Sequence, residues 1–223
     1  MPGWVLAIET SGPLGGAALW HPESHRGAEA SLEEPFHHAE DLPGLVQGLL
    51  DRFGVGFADL ALVAVVRGPG YFTALRVGVA YAKALWLARR VPVVAPTGLE
   101  VLAFEASEAG AREVVPVINA QRGQVYYAVY RDLKCREGPA VARPEALARK
   151  FPEARFVGPG LALFPDDLPV ARGPAAYPSP LAVARWGWRR FQEAGATDAV
   201  PLEPLYIREP DAVRLRQNRA EPR

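Results

Sequence analysis

Apolar residues fall along this chain in two patterns, short uninterrupted runs and longer stretches with a helical repeat, and the two patterns alternate. Trp4-Val5-Leu6-Ala7-Ile8 is short and continuous, as a strand buried on both faces requires, and the polar turn Glu9-Thr10-Ser11-Gly12-Pro13 separates it from a second run, Gly15 to Trp20. So short a separation predicts a hairpin. Ala28, Ala30 and Leu32 alternate with Glu29, Ser31 and Glu33, the pattern of an edge strand with one wet face. From Phe36 the period lengthens: Leu42, Leu45, Val46, Leu49 and Leu50 recur on one helical face, with Glu40 and Asp41 placed to meet the positive end of the helix dipole. Val63 to Val66 reads as a strand, Gly68-Pro69-Gly70 as a tight turn, and Tyr71 to Trp86 as a helix. Pro92 to Ala95 gives another strand and Gly98 to Ala109 another helix, so the first half runs βββαβαβα.

The helix after Gly68-Pro69-Gly70 is apolar nearly all round. Leu75, Val79, Ala82 and Trp86 form one stripe, while Val77, Ala80, Tyr81, Ala84 and Leu85 make the other side almost as apolar, so both sides are expected to be covered. Gly78 costs about 1 kcal/mol against alanine in a helix interior, which asks for a packing reason. The expectation is that one side packs on the preceding strand, while Ala74, Gly78 and Ala82 remove bulk for the approach of a second helix. A core helix of a monomer and a subunit contact fit this pattern equally well.

From Glu113 the pattern restarts. Val114 to Ile118 and the alternating Gln124 to Tyr130, with Gly123 between them, predict a second hairpin, followed by a helix at Pro144–Lys150, a short strand at Arg155–Val157 and a long helix from Pro180 to Ala194. Two halves that each begin with a β-meander and continue with alternating helices and strands describe an α/β fold of the duplicated ribonuclease H-like kind, seen in actin and sugar kinases. The lobes are expected to span residues 1–109 and 110–223, each with a mixed sheet flanked by helices.

Composition narrows the chemistry. The 223 residues carry 25 Lys+Arg against 25 Asp+Glu, so any RNA the chain serves must be held largely by another subunit. The tail after Tyr206 is only modestly basic: Arg208, Arg214, Arg216, Arg219 and Arg223 alternate with Glu209, Asp211 and Glu221. A single cysteine, Cys135, rules out an internal disulfide and fits a reducing compartment. With neither a basic leader nor a long apolar segment, a cytoplasmic location without membrane contact is expected. In this architecture the first hairpin turn cradles phosphate, because small and hydroxyl residues let backbone amides approach an anion. Here that turn offers Glu9, Thr10, Ser11 and Gly12, which are also ordinary turn formers. Gly68-Pro69-Gly70 lacks the lysine and longer glycine spacing of a P-loop. His37 and His38 are adjacent on a helix and point in different directions, a poor pair for a metal. No residue demands an enzyme, though a small actin-like ATPase or kinase using Glu9, Thr10 and Ser11 is the alternative.

Ile8-Glu9-Thr10-Ser11, His38-Ala39-Glu40, Gly68-Pro69-Gly70-Tyr71-Phe72-Thr73-Ala74-Leu75-Arg76-Val77-Gly78, Arg122-Gly123-Gln124-Val125-Tyr126 and Pro204-Leu205-Tyr206-Ile207-Arg208 occur in an order that resembles the TsaB (YeaZ) family over nearly the whole chain. Departures from the usual family pattern are Asn119 and Gln124, where acidic residues are more common, and Ala74, where glycine is usual. The resemblance implies a part in making threonylcarbamoyladenosine next to the tRNA anticodon, a reaction carried out by the larger paralogue TsaD with the ATPase TsaE assisting. TsaD follows its own Gly-Pro-Gly helix with a His-x-x-x-His metal motif, whereas Ala95 to Leu102 here contains no histidine. The resemblance therefore implies a non-catalytic partner with no metal or cofactor of its own, direct contact with TsaD, TsaE joined through the complex, and tRNA met indirectly. Glu9, Thr10, Ser11 and Gly12 would be a vestigial phosphate turn, with a nucleotide held at the heteromeric contact if anywhere. A glycoprotease-like peptidase, a label given to relatives, is the further alternative. Contact with TsaD is expected through the paired helices at 39–52 and 73–88, using Leu42, Leu45, Leu49, Ala74, Gly78, Tyr81, Ala82 and Leu85, and the chain alone is expected to form a homodimer through the same surface.

Overall fold

The computed structural model describes residues 3–166, 168 and 170–208; the tail arginines from Arg214 onward lie outside them. Strands β1 (Trp4–Glu9), β2 (Gly16–Trp20) and β3 (Gly27–Ser31) form the opening meander, followed by α1 (His38–Phe53), β4 (Leu60–Val65), α2 (Phe72–Arg89), β5 (Val93–Val94) and α3 (Gly98–Glu108). The second half comprises β6 (Glu113–Asn119), β7 (Val125–Arg131), β8 (Lys134–Ala142), α4 (Pro144–Lys150), β9 (Arg155–Val157), β10 (Ala171–Arg172) and α5 (Pro180–Ala194). The first sheet has the order β3-β2-β1-β4-β5 and the second β10-β9-β6-β7-β8, one scheme used twice. In each, the first strand pairs antiparallel with its hairpin partner and parallel with the strand that returns through a helix. The expected duplicated α/β fold is observed.

Strict alternation along β1 divides the first core in two. Leu6 and Ile8 face α1 and α2, with Val63 and Val65 of β4 beside them, while Val5 and Ala7 face the opposite way with Leu62 and Ala64. That opposite side is covered by α5, the last helix in the chain, through Ala182, Val183, Ala184 and Trp186. Gly187 lets α5 approach closely, since a Cβ there would lie well inside 3.0 Å of the Ala64 side chain. Conversely α3 turns Leu99, Leu102, Ala103 and Ala106 onto Val114, Ile118 and Val157 of the second sheet. Each sheet thus takes a covering helix from the other half of the sequence, and both helices lie between the sheets.

Capping explains several boundaries. Thr97 and Glu100 form a reciprocal capping box that starts α3. Ser179 accepts from the Ala182 N–H at the start of α5, where Pro180 occupies the first turn. β8 was harder to read because it is an exposed edge strand with Gly138-Pro139 in its middle, and proline is tolerated only where no ladder bond is needed.

The paired helices lie side by side on one face of the first sheet, as expected, but the expected contact residues require correction. Leu42 and Leu49 are buried on the inner stripe of α1 with Val46 and Leu50. Ala74, Gly78 and Ala82 are also buried, and they face the sheet. At about 100° per residue Gly78 falls only about 60° from Leu75, on the same side of the helix. A Cβ on Gly78 would lie well inside 3.0 Å of Thr10 Oγ1 and 3.3 Å from Ile8 Cγ2, so the small residues admit strand β1 rather than another helix. Leu45, Tyr81 and Leu85 are half-buried at the margin of the same core.

Candidate functional site

The first hairpin turn is built at the end of β1, where the chain leaves the sheet. Glu9 is 3% exposed, and its Oε1 accepts from the Ser11 N–H at 2.9 Å and also from the Ser11 hydroxyl. Burial pushes its carboxyl up to about 7, with the two bonds from Ser11 acting in the opposite direction. The Ser11 carbonyl accepts from the Tyr71 N–H at 3.0 Å, binding the turn to the Gly68-Pro69-Gly70 loop. Gly70 is required there because a Cβ would overlap Ser11. Thr10 is wholly buried, and its hydroxyl has no hydrogen-bond partner among the described residues.

Gly12 is held between two side chains. The Nε2–H of buried His38 donates to the Gly12 carbonyl at 3.1 Å, and burial holds the His38 imidazole below its ordinary pKa. Above the turn lies Tyr177, whose ring is so close that a Cβ on Gly12 would come within 2.8 Å of it. Burial raises the Tyr177 phenol, with Tyr71 and Glu9 contributing. A cleft of about 510 Å³ opens beside this turn between Glu9, Gly16, Glu29, Tyr177 and Pro180.

The structure therefore brings Glu9, Thr10, Ser11 and Gly12 together as expected, but in a self-satisfied arrangement. The Ser11 amide and hydroxyl, which an anion would need, already serve the Glu9 carboxylate. His37 and His38 diverge: His37 is exposed between Glu34 and Glu40, at 3.6 and 3.1 Å, while His38 turns inward to Gly12. Sequence reasoning missed Tyr177 and the inward role of His38; the only signal for the latter was its place in the His38-Ala39-Glu40 string.

On the far side of α1 and α2, away from the sheet, a different surface appears. Gly44 and Gly48 are exposed on α1, with nothing within 4 Å of where their side chains would project. Ala80, Ala84 and Ala88 are exposed on α2, and Leu87 is 66% exposed. Two helices thus present small apolar residues outward at the spacing that permits close helix packing.

The family model described as "TsaD: tRNA N6-adenosine threonylcarbamoyltransferase" matches residues 35–157. The tRNA threonylcarbamoyladenosine biosynthesis protein TsaB of Escherichia coli strain K12 is 29% identical over 220 residues, covering 92% of this chain and 94% of that protein. An uncharacterised protein of Mycobacterium tuberculosis strain H37Rv is 32% identical over 216 residues, covering 93% of each chain. Among solved structures, one titled YeaZ from Pseudomonas aeruginosa superposes with a TM-score of 0.77 at 28% identity, covering 92% of this chain and 99% of that one.

Proposed function

This chain belongs to the TsaB (YeaZ) family, and we propose that its part in tRNA threonylcarbamoyladenosine biosynthesis is that of a binding subunit for the TsaD transferase rather than a catalyst. The observation that carries this reading is the outward face of α1 and α2. Gly44, Gly48, Ala80, Ala84 and Leu87 make a surface with little bulk and no charge of its own, which a second helix pair can meet at close range. A soluble chain gains by covering such a face. Alone it pairs with a second copy, and with TsaD present the transferase takes the same surface, so the two associations compete. TsaE joins through the assembled complex, tRNA is engaged chiefly by TsaD, and the location is the cytoplasm.

The first-hairpin turn supports a non-catalytic role. In a working phosphate turn the backbone amides point at the nucleotide; here the carboxylate of Glu9 takes the Ser11 amide and hydroxyl, and Tyr177 covers Gly12. A nucleotide would have to displace a buried carboxylate that is bonded within its own turn.

The test is sedimentation of Ala84→Glu and Leu87→Glu, alone and mixed with TsaD. Both sites are exposed, so the variants are expected to keep their circular dichroism spectrum while losing the homodimer and weakening TsaD binding by at least about ten-fold, since a carboxylate would be buried unpaired. Folded variants that still dimerise and bind TsaD place the contact elsewhere.

A further inference from the structure

We propose that the cleft between the Gly68-Pro69-Gly70 loop and the β6–β7 hairpin is a contact site for an unpaired stretch of RNA, which stacks a base on Tyr206 and sets its phosphates against arginine. The inference rests on the reading that the chain works in tRNA modification, and adds to it a direct contact by this subunit.

The cleft encloses about 280 Å³ and is lined by Gly70, Phe72, Arg122, Tyr126, Tyr206 and Arg208 among others, with no carboxylate among the described residues of its wall. Its rim is a layered stack. The Phe72 and Tyr206 rings are 4.9 Å apart and inclined by 32°, and the Arg76 guanidinium lies 3.8 Å from the Phe72 ring centroid while its Nε donates to the Tyr206 hydroxyl at 3.2 Å. Phe72 is 37% and Tyr206 38% exposed, so planar surface remains open to solvent. Because Arg76 holds Tyr206 in place, a base stacking there finds an ordered platform and loses little affinity to its ordering.

The charge is poised for an anion. Arg208 donates to the Ala120 carbonyl at 2.9 Å and to the Gln124 amide oxygen, and Arg76 donates to a phenol, so neither cation is neutralised by a carboxylate among the described residues. Glu33, Glu34, Glu40 and Asp41 are instead gathered around the start of α1, where they line a separate hollow. Aromatic rings interleaved with guanidinium groups suit single-stranded nucleic acid, whose bases can leave a stack, better than a duplex or an acidic peptide. Two arginines, Arg76 and Arg208, make the contact weak by itself and supplementary to that of TsaD.

The experiment is fluorescence anisotropy of the intact chain with a labelled single-stranded oligouridylate of about 12 nucleotides, with an RNA duplex of equal length, and with unlabelled polyglutamate as competitor, across a range of salt. The single strand is expected to bind in preference to the duplex, with a logarithmic salt slope of about −1.4 for two phosphate contacts. Tyr206→Ala should weaken binding by at least about five-fold, the loss of one stacked base, and Tyr206→Phe, which keeps the ring but not its hydrogen bond to Arg76, should weaken it by less. Should Tyr206→Ala disturb folding, the exposed Arg76→Ala serves in its place, and is expected to flatten the slope by about 0.7. Absence of salt-dependent binding, preference for the duplex, or unchanged binding by folded variants overturns the proposal, and displacement by polyglutamate as effective as by RNA assigns the cleft to an acidic protein. A chain that binds TsaD in sedimentation but no RNA here refutes this inference while leaving the subunit reading intact.

Discussion

Replacing Gly78 by alanine tests which way α2 faces. On an outward helical surface Gly78→Ala would stabilise the chain by about 1 kcal/mol, because glycine carries that penalty in a helix interior. The structure places the missing Cβ against Thr10 Oγ1, well inside the 3.0 Å that real Cβ contacts respect, with Ile8 Cγ2 at 3.3 Å and Thr10 Cγ2 at 3.4 Å. Rotating Thr10 brings its methyl rather than its hydroxyl toward the helix, and Thr10 is wholly buried, so neither rotamer clears the space. Overpacking of this kind costs about 1–3 kcal/mol, so the net expectation for Gly78→Ala is a loss of up to about 2 kcal/mol, or a fall in Tm of several degrees at this chain length. Thr10→Ala removes both offending atoms together with a buried hydroxyl that has no partner among the described residues, and is expected to be close to neutral alone. In that background Gly78→Ala should become neutral or stabilising, giving a coupling of about 2 kcal/mol in urea unfolding of the four proteins. Additive behaviour, or stabilisation by Gly78→Ala in the wild-type background, would refute the inward assignment and return Gly78 to an outward surface. Gly48→Ala on α1, with open space around it in the single chain, is the internal control and should stabilise by about 1 kcal/mol at a protein concentration where the chain is monomeric.

Burial raises Glu9 and Glu105 from 4.5 to about 7. Between those values the folded chain holds more protons than the unfolded one, so stability is greatest below pH 4.5 and declines as pH rises to 7. Glu9→Gln should flatten that decline in urea unfolding at pH 5 to 8, by at most about 3 kcal/mol at the alkaline end; an unchanged slope would show that Glu9 titrates normally. Lys83 donates to the Val200 and Leu202 carbonyls at 2.9 and 3.2 Å, holding a segment whose Ala199 and Leu202 enter the first core. Lys83→Ala is therefore expected to cost about 1–3 kcal/mol and to speed amide exchange in residues 197–205 while β1 stays protected; uniform exchange changes would contradict a local strap.

Most of the secondary structure was legible because local period and local punctuation carry it. Buried runs such as Val5 to Ile8, short and bounded by a polar turn, suit a strand, the 3.6-residue recurrence of Leu42, Val46 and Leu49 suits a helix, and α4 and α5 begin at prolines that announce a first turn. The repeated order of elements revealed the duplication, since two halves of similar pattern face the same burial problem. Strands β8 and β10 carry no such pattern, because β8 buries no residue fully and β10 is only two exposed residues long.

Tertiary structure alone decided which partner each apolar side meets. A helix that is apolar all round has no hydrophobic preference of orientation; α2 is turned by shape, its small residues fitting over Thr10 and Ile8, and its alanine-lined side is left outward. The exchange of α3 and α5 between sheets was likewise invisible, because burial is non-directional and a helix stripe does not specify the sheet that covers it. The turn at Glu9 could be seen as a turn from its residues, but His38 from α1 and Tyr177 from the far end of the chain close on Gly12 only in the folded molecule. Tyr206 lies 130 residues beyond Arg76 and joins it and Phe72 in one stack for the same reason: chain connectivity sets their order, and only packing sets their distance.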